Sequence, residues 1–228
     1  MIFLMMRRTR MMDIEKPNFE LALFEANKLL LQEGLIETFP FQAKKIVKSC
    51  SDMSIQSFKK AIEKYGFDPK DLGSKSALTA SRLGRKLLLY NNEEYKPRVI
   101  WSILHELGHD NLNHPLNPEQ YSNKEIEAHF FAAQILMPEQ IILELIRRGE
   151  KITSKFLQEK FEVSREAAEK RLKTMSMINW EWRTEEEKFF DECIIKKFEA
   201  FLNSIHPRTP TFDEDYEQME ADRMSWRI

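Results

Sequence analysis

Most of this chain follows the three-to-four-residue spacing of hydrophobic positions that is typical of amphipathic helices. The spacing predicts helices over residues 17–37, 41–65 and 184–205, and two short helices within 152–175. Another helix is predicted from about Lys124 to Met137, where a proline stops it and a new helix begins. The pattern therefore predicts a mostly helical chain.

The stretch between Ser74 and Asn92 has a different pattern. Residues 77–80 and 86–90 are short apolar runs, and two asparagines close the second run. Such runs predict two or more short strands. Pro97 then suits the first turn of a helix whose apolar positions fall on one side. Strands beside so many helices indicate an α+β fold.

Composition narrows the class of protein further. Apolar residues make up 42% of the chain and charged residues 32%, which is typical of a globular protein. The 35 basic and 37 acidic residues give a net charge of −2. We therefore expect no bulk attraction to nucleic acid or to an anionic membrane.

Cysteine usage and the N-terminus indicate the compartment. Cys50 and Cys193 lie far apart, so we expect neither a disulfide framework nor a cysteine metal cluster. The chain begins with apolar residues followed by Arg7 and Arg8, the reverse of the order in a signal peptide. No apolar run approaches the roughly 20 residues that span a bilayer. We expect a cytoplasmic protein with no membrane partner.

The candidate chemistry lies on the helix that Pro97 opens. His105 and His109 are four residues apart, so their imidazoles project from one face and can bind one zinc ion at about 2.0–2.1 Å. Glu106 then lies beside the metal, where a general base for a metal-bound water belongs. Gly108 leaves room for another segment to pack against this helix.

A catalytic zinc needs a third protein ligand and an open position for water. The residue six positions after His109 is Pro115, so a third histidine at that spacing is excluded. The next helix offers Glu125, Glu127 and His129. Glu125 and His129 share a face and Glu127 lies on another, and spacing alone does not choose among the three.

The motif at 105–109, His-Glu-Leu-Gly-His, and the segment 127–138, Glu-Ala-His-Phe-Phe-Ala-Ala-Gln-Ile-Leu-Met-Pro, together resemble the ImmA/IrrE family of metallopeptidases. The resemblance covers residues 85–140 well and extends to about 175. In that family the Glu before Ala is the third zinc ligand, which implies Glu127 here. His129 departs from the usual Asn or Asp of the family.

The resemblance implies a zincin-like core in which Zn²⁺ is held by His105, His109 and Glu127. It implies a zinc endopeptidase whose substrate is a helix-turn-helix transcriptional repressor of a prophage, mobile element or stress regulon. The donor that stabilises the oxyanion or contacts substrate is left open among four side chains: Tyr121, His129, His114 and Tyr90. The segment Lys86–Tyr90 is the expected sheet edge on which an extended substrate adds as a strand.

The predicted organisation has three regions. Residues 1–40 form a leader and a helix, 41–140 the metallopeptidase core, and 141–228 a helical region that ends in an acidic tail after Pro207. The pattern does not predict an oligomeric state.

The helices of 152–175 allow other functions. They resemble a helix-turn-helix, and residues 147–173 hold nine basic and five acidic residues, a net of +4. This mildly basic face would suit a DNA-binding regulator. The family resemblance implies instead that the helical pair packs beside the peptidase core. The remaining alternative is a protein-interaction module without catalysis.

Overall fold

The structure is a computed structural model. It describes residues 16–73, 76–82, 84–116, 122–178 and 180–208, and residues 216, 219, 220, 223 and 224. The acidic tail predicted after Pro207 therefore falls largely outside the described residues.

The described chain is mostly helical, with one small sheet, which confirms the α+β expectation. Its strands are β1 (Ser54–Ser57), β2 (Ala77–Arg82) and β3 (Arg85–Tyr90). Its α-helices are α1 (Phe19–Leu31), α2 (Ala43–Cys50), α3 (Phe58–Tyr65), α4 (Pro69–Leu72), α5 (Lys96–Asn111), α6 (Asn123–Leu136), α7 (Glu139–Arg147), α8 (Ser154–Phe161), α9 (Arg165–Met175), α10 (Glu185–Lys197) and α11 (Glu199–Ile205).

Three predicted helices were too long. The helix predicted over 17–37 ends at Leu31, and two others are interrupted. The 41–65 segment contains β1, because Ile55 and Ser57 turn inward when the strand pairs with β3. The 184–205 segment breaks at Phe198, whose backbone ψ of 18° leaves the helical range and whose ring is fully buried. In both cases a tertiary contact overrides a local helical pattern.

The order of the sheet is β1-β3-β2, with β1 parallel and β2 antiparallel to β3. The segment Lys86–Tyr90 is therefore the central strand, and the expectation that it forms the edge was wrong. Both faces of this strand are covered by apolar clusters, which explains why its side chains form an almost continuous apolar run. The edge strands of this sheet are β1 and β2.

The two faces of the sheet bury different clusters. Leu88 points into the main core, together with side chains from α1, α2, α5, α6, α7, α8, α9, α10 and α11. Leu87 and Leu89 point the other way, into a smaller cluster with Ala61 and Leu72. The main core draws on all three regions predicted from the sequence, and the division between those regions stays a prediction.

A buried polar cluster holds the bend between α6 and α7. Gln134 donates to Asn27 Oδ1 at 2.8 Å and to Gln140 Oε1 at 2.9 Å. The Arg171 guanidinium, 2% exposed, donates to Gln134 and to the Met137 carbonyl. Because Arg171 lies on α9, this cluster fixes α6 against the helical pair that follows it.

No single helix in the described ranges has both the length and the apolar character needed to cross a membrane. The pair α6 and α7, bent by 45°, passes the same test only when the two are taken together.

Gly108 brings α5 and α6 into close approach, as the sequence predicted. A Cβ built at this position lies 3.3 Å from both Cα and O of Ala128 and 3.0 Å from Cδ1 of Phe131. The first two of these atoms are backbone and cannot move aside alone. The residue type at 108 therefore sets the distance between the two helices.

Replacing Gly108 with alanine is expected to destabilise the fold by up to about 2 kcal/mol. Overpacking costs about 1–3 kcal/mol, and the better helix propensity of alanine returns only about 1 kcal/mol. Urea denaturation measures the change in the free energy of unfolding. A variant as stable as the wild type would show that α6 can move away without cost.

Candidate metal centre

The helix α5 presents two imidazoles to one point. The Nε2 atoms of His105 and His109 lie 3.1 Å apart, and the rings are perpendicular. The side chains are 13% and 10% exposed. Both nitrogens thus converge in a nearly buried place, as the four-residue spacing predicted.

The third donor at this point is Glu125 of α6. Its Oε2 lies 3.2 Å from His105 Nε2, and its Oε1 lies 3.4 Å from His109 Nε2. A tetrahedral zinc with bonds of about 2.0–2.1 Å places its ligand atoms about 3.3 Å from one another. The three side chains therefore already have the mutual spacing that such an ion requires.

The charge states also suit a cation. Burial, followed by the neighbouring His105, lowers the pKa of His109 to about 4, so this imidazole is neutral near pH 7. The hydrogen bond with His105 lowers the pKa of Glu125, which stays ionised. A neutral imidazole and a carboxylate are the forms in which these residues bind metals.

Glu127, which the resemblance selects as the third ligand, lies in a different environment. Its Oε1 accepts from the backbone N–H of Asn18 at 2.7 Å, and its Oε2 lies 2.8 Å from His114 Nε2. The carboxylate is 4% exposed. The structure thus places Glu125, rather than Glu127, beside the two imidazoles, because the two residues occupy different faces of α6.

Glu127 still reaches the centre through His114. His114 is nearly fully buried, and its Nδ1 lies 2.9 Å from Nδ1 of His109. Although burial opposes it, hydrogen bonds from Asn18 and His114 lower the pKa of Glu127, so it is an acceptor. His114 then donates from Nε2 and accepts at Nδ1, and His109 donates from Nδ1. This arrangement leaves the lone pair of His109 Nε2 directed at the centre.

The predicted general base, Glu106, has a hydrogen-bond donor on the sheet. Thr79 of β2 donates from Oγ1 to Glu106 Oε2 at 2.7 Å. The bond ties the carboxylate to the strand that borders the centre. Nothing in the local sequence of Thr79 predicts this contact, which joins residues 27 apart in the chain.

His129 lies beside the centre on the same face as Glu125. Its ring is 4.3 Å from that of His105, and its Nδ1 accepts from Trp101 Nε1 at 3.4 Å. His105, Glu125 and His129 offer donor atoms within 4.8 Å of one another, so a metal could engage this group as well. Burial lowers the pKa of His129 to about 4.

The remaining candidates for the oxyanion or substrate contact lie in different environments. Tyr90 is 9% exposed and lines a separate pocket with Lys44, whose ammonium lies 4.4 Å from the centre of its ring. Both ring nitrogens of His114 are engaged by His109 and Glu127. His114 also lines the cleft that holds the centre, whereas Tyr90 lines the separate pocket. Tyr121 lies outside the described residues.

The centre opens into a cleft of about 1520 Å³. One wall is β2 with Thr79, and the opposite side includes Ser164 and Arg165 at the start of α9. His105 and Glu106 lie within it. The cleft is large enough for several residues of an extended chain, and α9 forms part of its wall.

Residues 56–173 match the family model Peptidase_M78, described as the IrrE N-terminal-like domain. The match covers slightly more than half of the 228 residues and includes every donor of the centre. No curated protein matches the chain.

Proposed function

We propose, from the fact that this chain belongs to the Peptidase_M78 family of metallopeptidases, that it is a zinc-dependent endopeptidase acting on a protein substrate. The observation that carries the proposal is the spacing of 3.1, 3.2 and 3.4 Å among the His105, His109 and Glu125 donor atoms. Two histidines and one carboxylate are a donor set of catalytic zinc, which leaves one coordination position for water.

Zinc bound by these three residues supplies a water of lowered pKa and polarises the substrate carbonyl. Glu106 accepts the proton of the attacking water and passes it to the leaving amine. Thr79 holds this carboxylate in place through its 2.7 Å hydrogen bond. Glu127 and His114 keep the proton of His109 on Nδ1, so that Nε2 can bind the metal.

We infer that the substrate adds as an extended strand along β2, the sheet edge that borders the cleft. Ser76, Ala77, Leu78 and Thr79 line the cleft on this side. A strand on this edge passes next to Glu106, because Thr79 contacts both the cleft and that carboxylate. Backbone hydrogen bonds then supply affinity with little dependence on substrate sequence.

Single prolines at Ala77 and Leu78 test this docking mode. Neighbouring residues of a strand direct their N–H groups to opposite sides, so one proline breaks pairing with β3 and the other removes an outward donor. The outward proline is expected to leave the free energy of unfolding nearly unchanged and to lower kcat/KM about tenfold, the equivalent of one hydrogen bond. Wild-type kcat/KM in the outward variant, with its fold intact, would exclude the strand-addition mode.

The substrate we propose is a helix-turn-helix transcriptional repressor of a prophage, mobile element or stress regulon, in the cytoplasm. Support comes from the resemblance of 105–109 and 127–138 to the ImmA/IrrE family. The cleft of about 1520 Å³ is compatible with a flexible segment of such a protein. Cleavage between the DNA-binding and oligomerising parts of a repressor would inactivate it.

The contacts of the basic residues on and near α9 favour a role in the cleft wall over DNA binding. Arg171 is buried, and Arg148 is held by Glu144 and Glu199 at 2.9 Å. Arg165 and Lys170 each pair with a glutamate one turn away on α9, at 2.7 Å. Arg148 and Arg171 are thus taken up by contacts within the fold, which reduces the basic excess that could face phosphates.

The experiment combines metal analysis with cleavage. The purified protein is expected to contain zinc and to cleave the repressor encoded by the neighbouring gene, with β-casein as an unstructured control substrate. Removing the metal with a chelator abolishes cleavage, and added Zn²⁺ restores it. Cleavage that persists after complete metal removal contradicts the proposal.

A further inference from the structure

The role of His129 follows from its hydrogen bond rather than from its position. Its ring lies 4.3 Å from the ring of His105, and one of its ring nitrogens lies within 4.8 Å of a donor atom of His105 and of Glu125. Two roles fit that position. As a fourth protein ligand His129 would close the metal site, and as a hydrogen-bond donor it would face the open coordination position.

The bond from Trp101 decides between these roles. An indole N–H can only donate, and Trp101 Nε1 lies 3.4 Å from Nδ1 of His129. The accepting nitrogen carries no proton, so the proton of this imidazole is on Nε2. Binding a metal through Nε2 would move that proton to Nδ1, where two N–H groups would face each other.

The Trp101 bond also excludes Nδ1 as a ligand atom. Its lone pair is directed at the indole N–H and is not available to a cation. Both nitrogens of His129 are thus committed: Nδ1 accepts from Trp101, and Nε2 carries a proton that it can donate. This differs from His109, whose hydrogen bond to His114 places the proton on Nδ1 and leaves Nε2 for the metal.

We propose that Trp101 holds His129 as the Nε2–H tautomer, and that His129 donates this hydrogen to the substrate oxygen that becomes negative in the transition state. The inference rests on the proposed peptidase function. Trp101 is the positioning residue and His129 the group that touches substrate. The arrangement keeps the fourth metal position open for water, as a catalytic site requires.

Nuclear magnetic resonance of ¹⁵N-labelled imidazoles tests the tautomer without any substrate. In the zinc-loaded protein, His129 is expected to show a protonated Nε2 and an unprotonated Nδ1. Trp101→Phe keeps an aromatic ring but removes the donor, and should shift His129 toward the other tautomer. A proton on Nδ1, or a metal-bound signal from either nitrogen of wild-type His129, overturns the proposal.

Kinetics and metal content test the role of the donor. His129→Gln is expected to retain stoichiometric zinc and to lower kcat for the repressor substrate about 100-fold, with little change in KM. Trp101→Phe is expected to lower kcat about tenfold. Trp180→Phe is the matched control, because it also replaces an indole by a phenyl ring. The Trp180 ring lies 4.7 Å from the Arg183 guanidinium, and this variant should keep the wild-type kcat.

The outcomes separate this inference from the proposed function. Zinc loss in His129→Gln makes His129 a ligand and rejects its role as a donor. Unchanged kcat in that variant, with Glu106→Gln inactive, rejects the oxyanion role but leaves the peptidase intact. Full activity in Glu106→Gln rejects the peptidase mechanism itself.

Discussion

Glu125→Gln is expected to lose zinc, whereas Glu127→Gln is expected to bind it with about 10–100-fold lower affinity. An amide cannot replace the carboxylate that lies 3.2 and 3.4 Å from the two imidazoles. Glu127 instead accepts hydrogen bonds from His114 and from the Asn18 backbone. Its replacement disturbs the orientation of His109 but removes no ligand atom. Equilibrium dialysis against a zinc indicator measures both affinities.

The variants Glu125→Gln and Glu127→Gln serve as controls for each other, because each replaces one carboxylate oxygen with an NH₂ group on the same helix. His114→Gln should behave like Glu127→Gln, because it interrupts the same chain of hydrogen bonds to His109. If Glu127→Gln loses zinc and Glu125→Gln keeps it, the third ligand is the residue that the family resemblance selects. Circular dichroism of the metal-free variants shows whether each fold is intact.

The spacing of residues within one helix was enough to predict which side chains share a face of that helix. His109 follows His105 by four positions, and the structure brings both Nε2 atoms together. The shared face of Glu125 and His129 was also visible in the sequence, and it is the face that meets the centre. The choice between Glu125 and Glu127 could not come from spacing, because it depends on how α6 is rotated against α5.

Contacts between distant segments were beyond local patterns. The local sequence marks Thr79 only as a strand residue and Trp101 only as an apolar residue of a helix. The hydrogen bond of Thr79 depends on how β2 packs beside α5, and that of Trp101 depends on how α6 packs against α5. The order β1-β3-β2 likewise follows from a parallel pairing between residues more than 30 apart, such as Ser54 with Leu87. A short apolar run gives no sign of whether it is central or at an edge.

Glu106→Gln is expected to lower kcat by about 100- to 10,000-fold while zinc binding and stability remain close to wild type. Glutamine has the same shape and still offers an oxygen to the Thr79 hydroxyl, so the side chain keeps its place. It cannot accept a proton at neutral pH, and the attacking water then keeps both of its hydrogens. The measurement is single-turnover cleavage at saturating enzyme, together with zinc content and thermal unfolding.

Thr79→Val separates the orientation of Glu106 from its chemistry. Valine matches the shape of threonine but lacks the hydroxyl that donates at 2.7 Å. We expect kcat to fall about tenfold in this variant, because the carboxylate keeps its basicity but loses its fixed position. If Glu106→Gln cleaves at the wild-type rate with zinc bound, proton transfer by this residue is excluded. Equal losses in both variants would instead mean that position, and not basicity, limits the reaction.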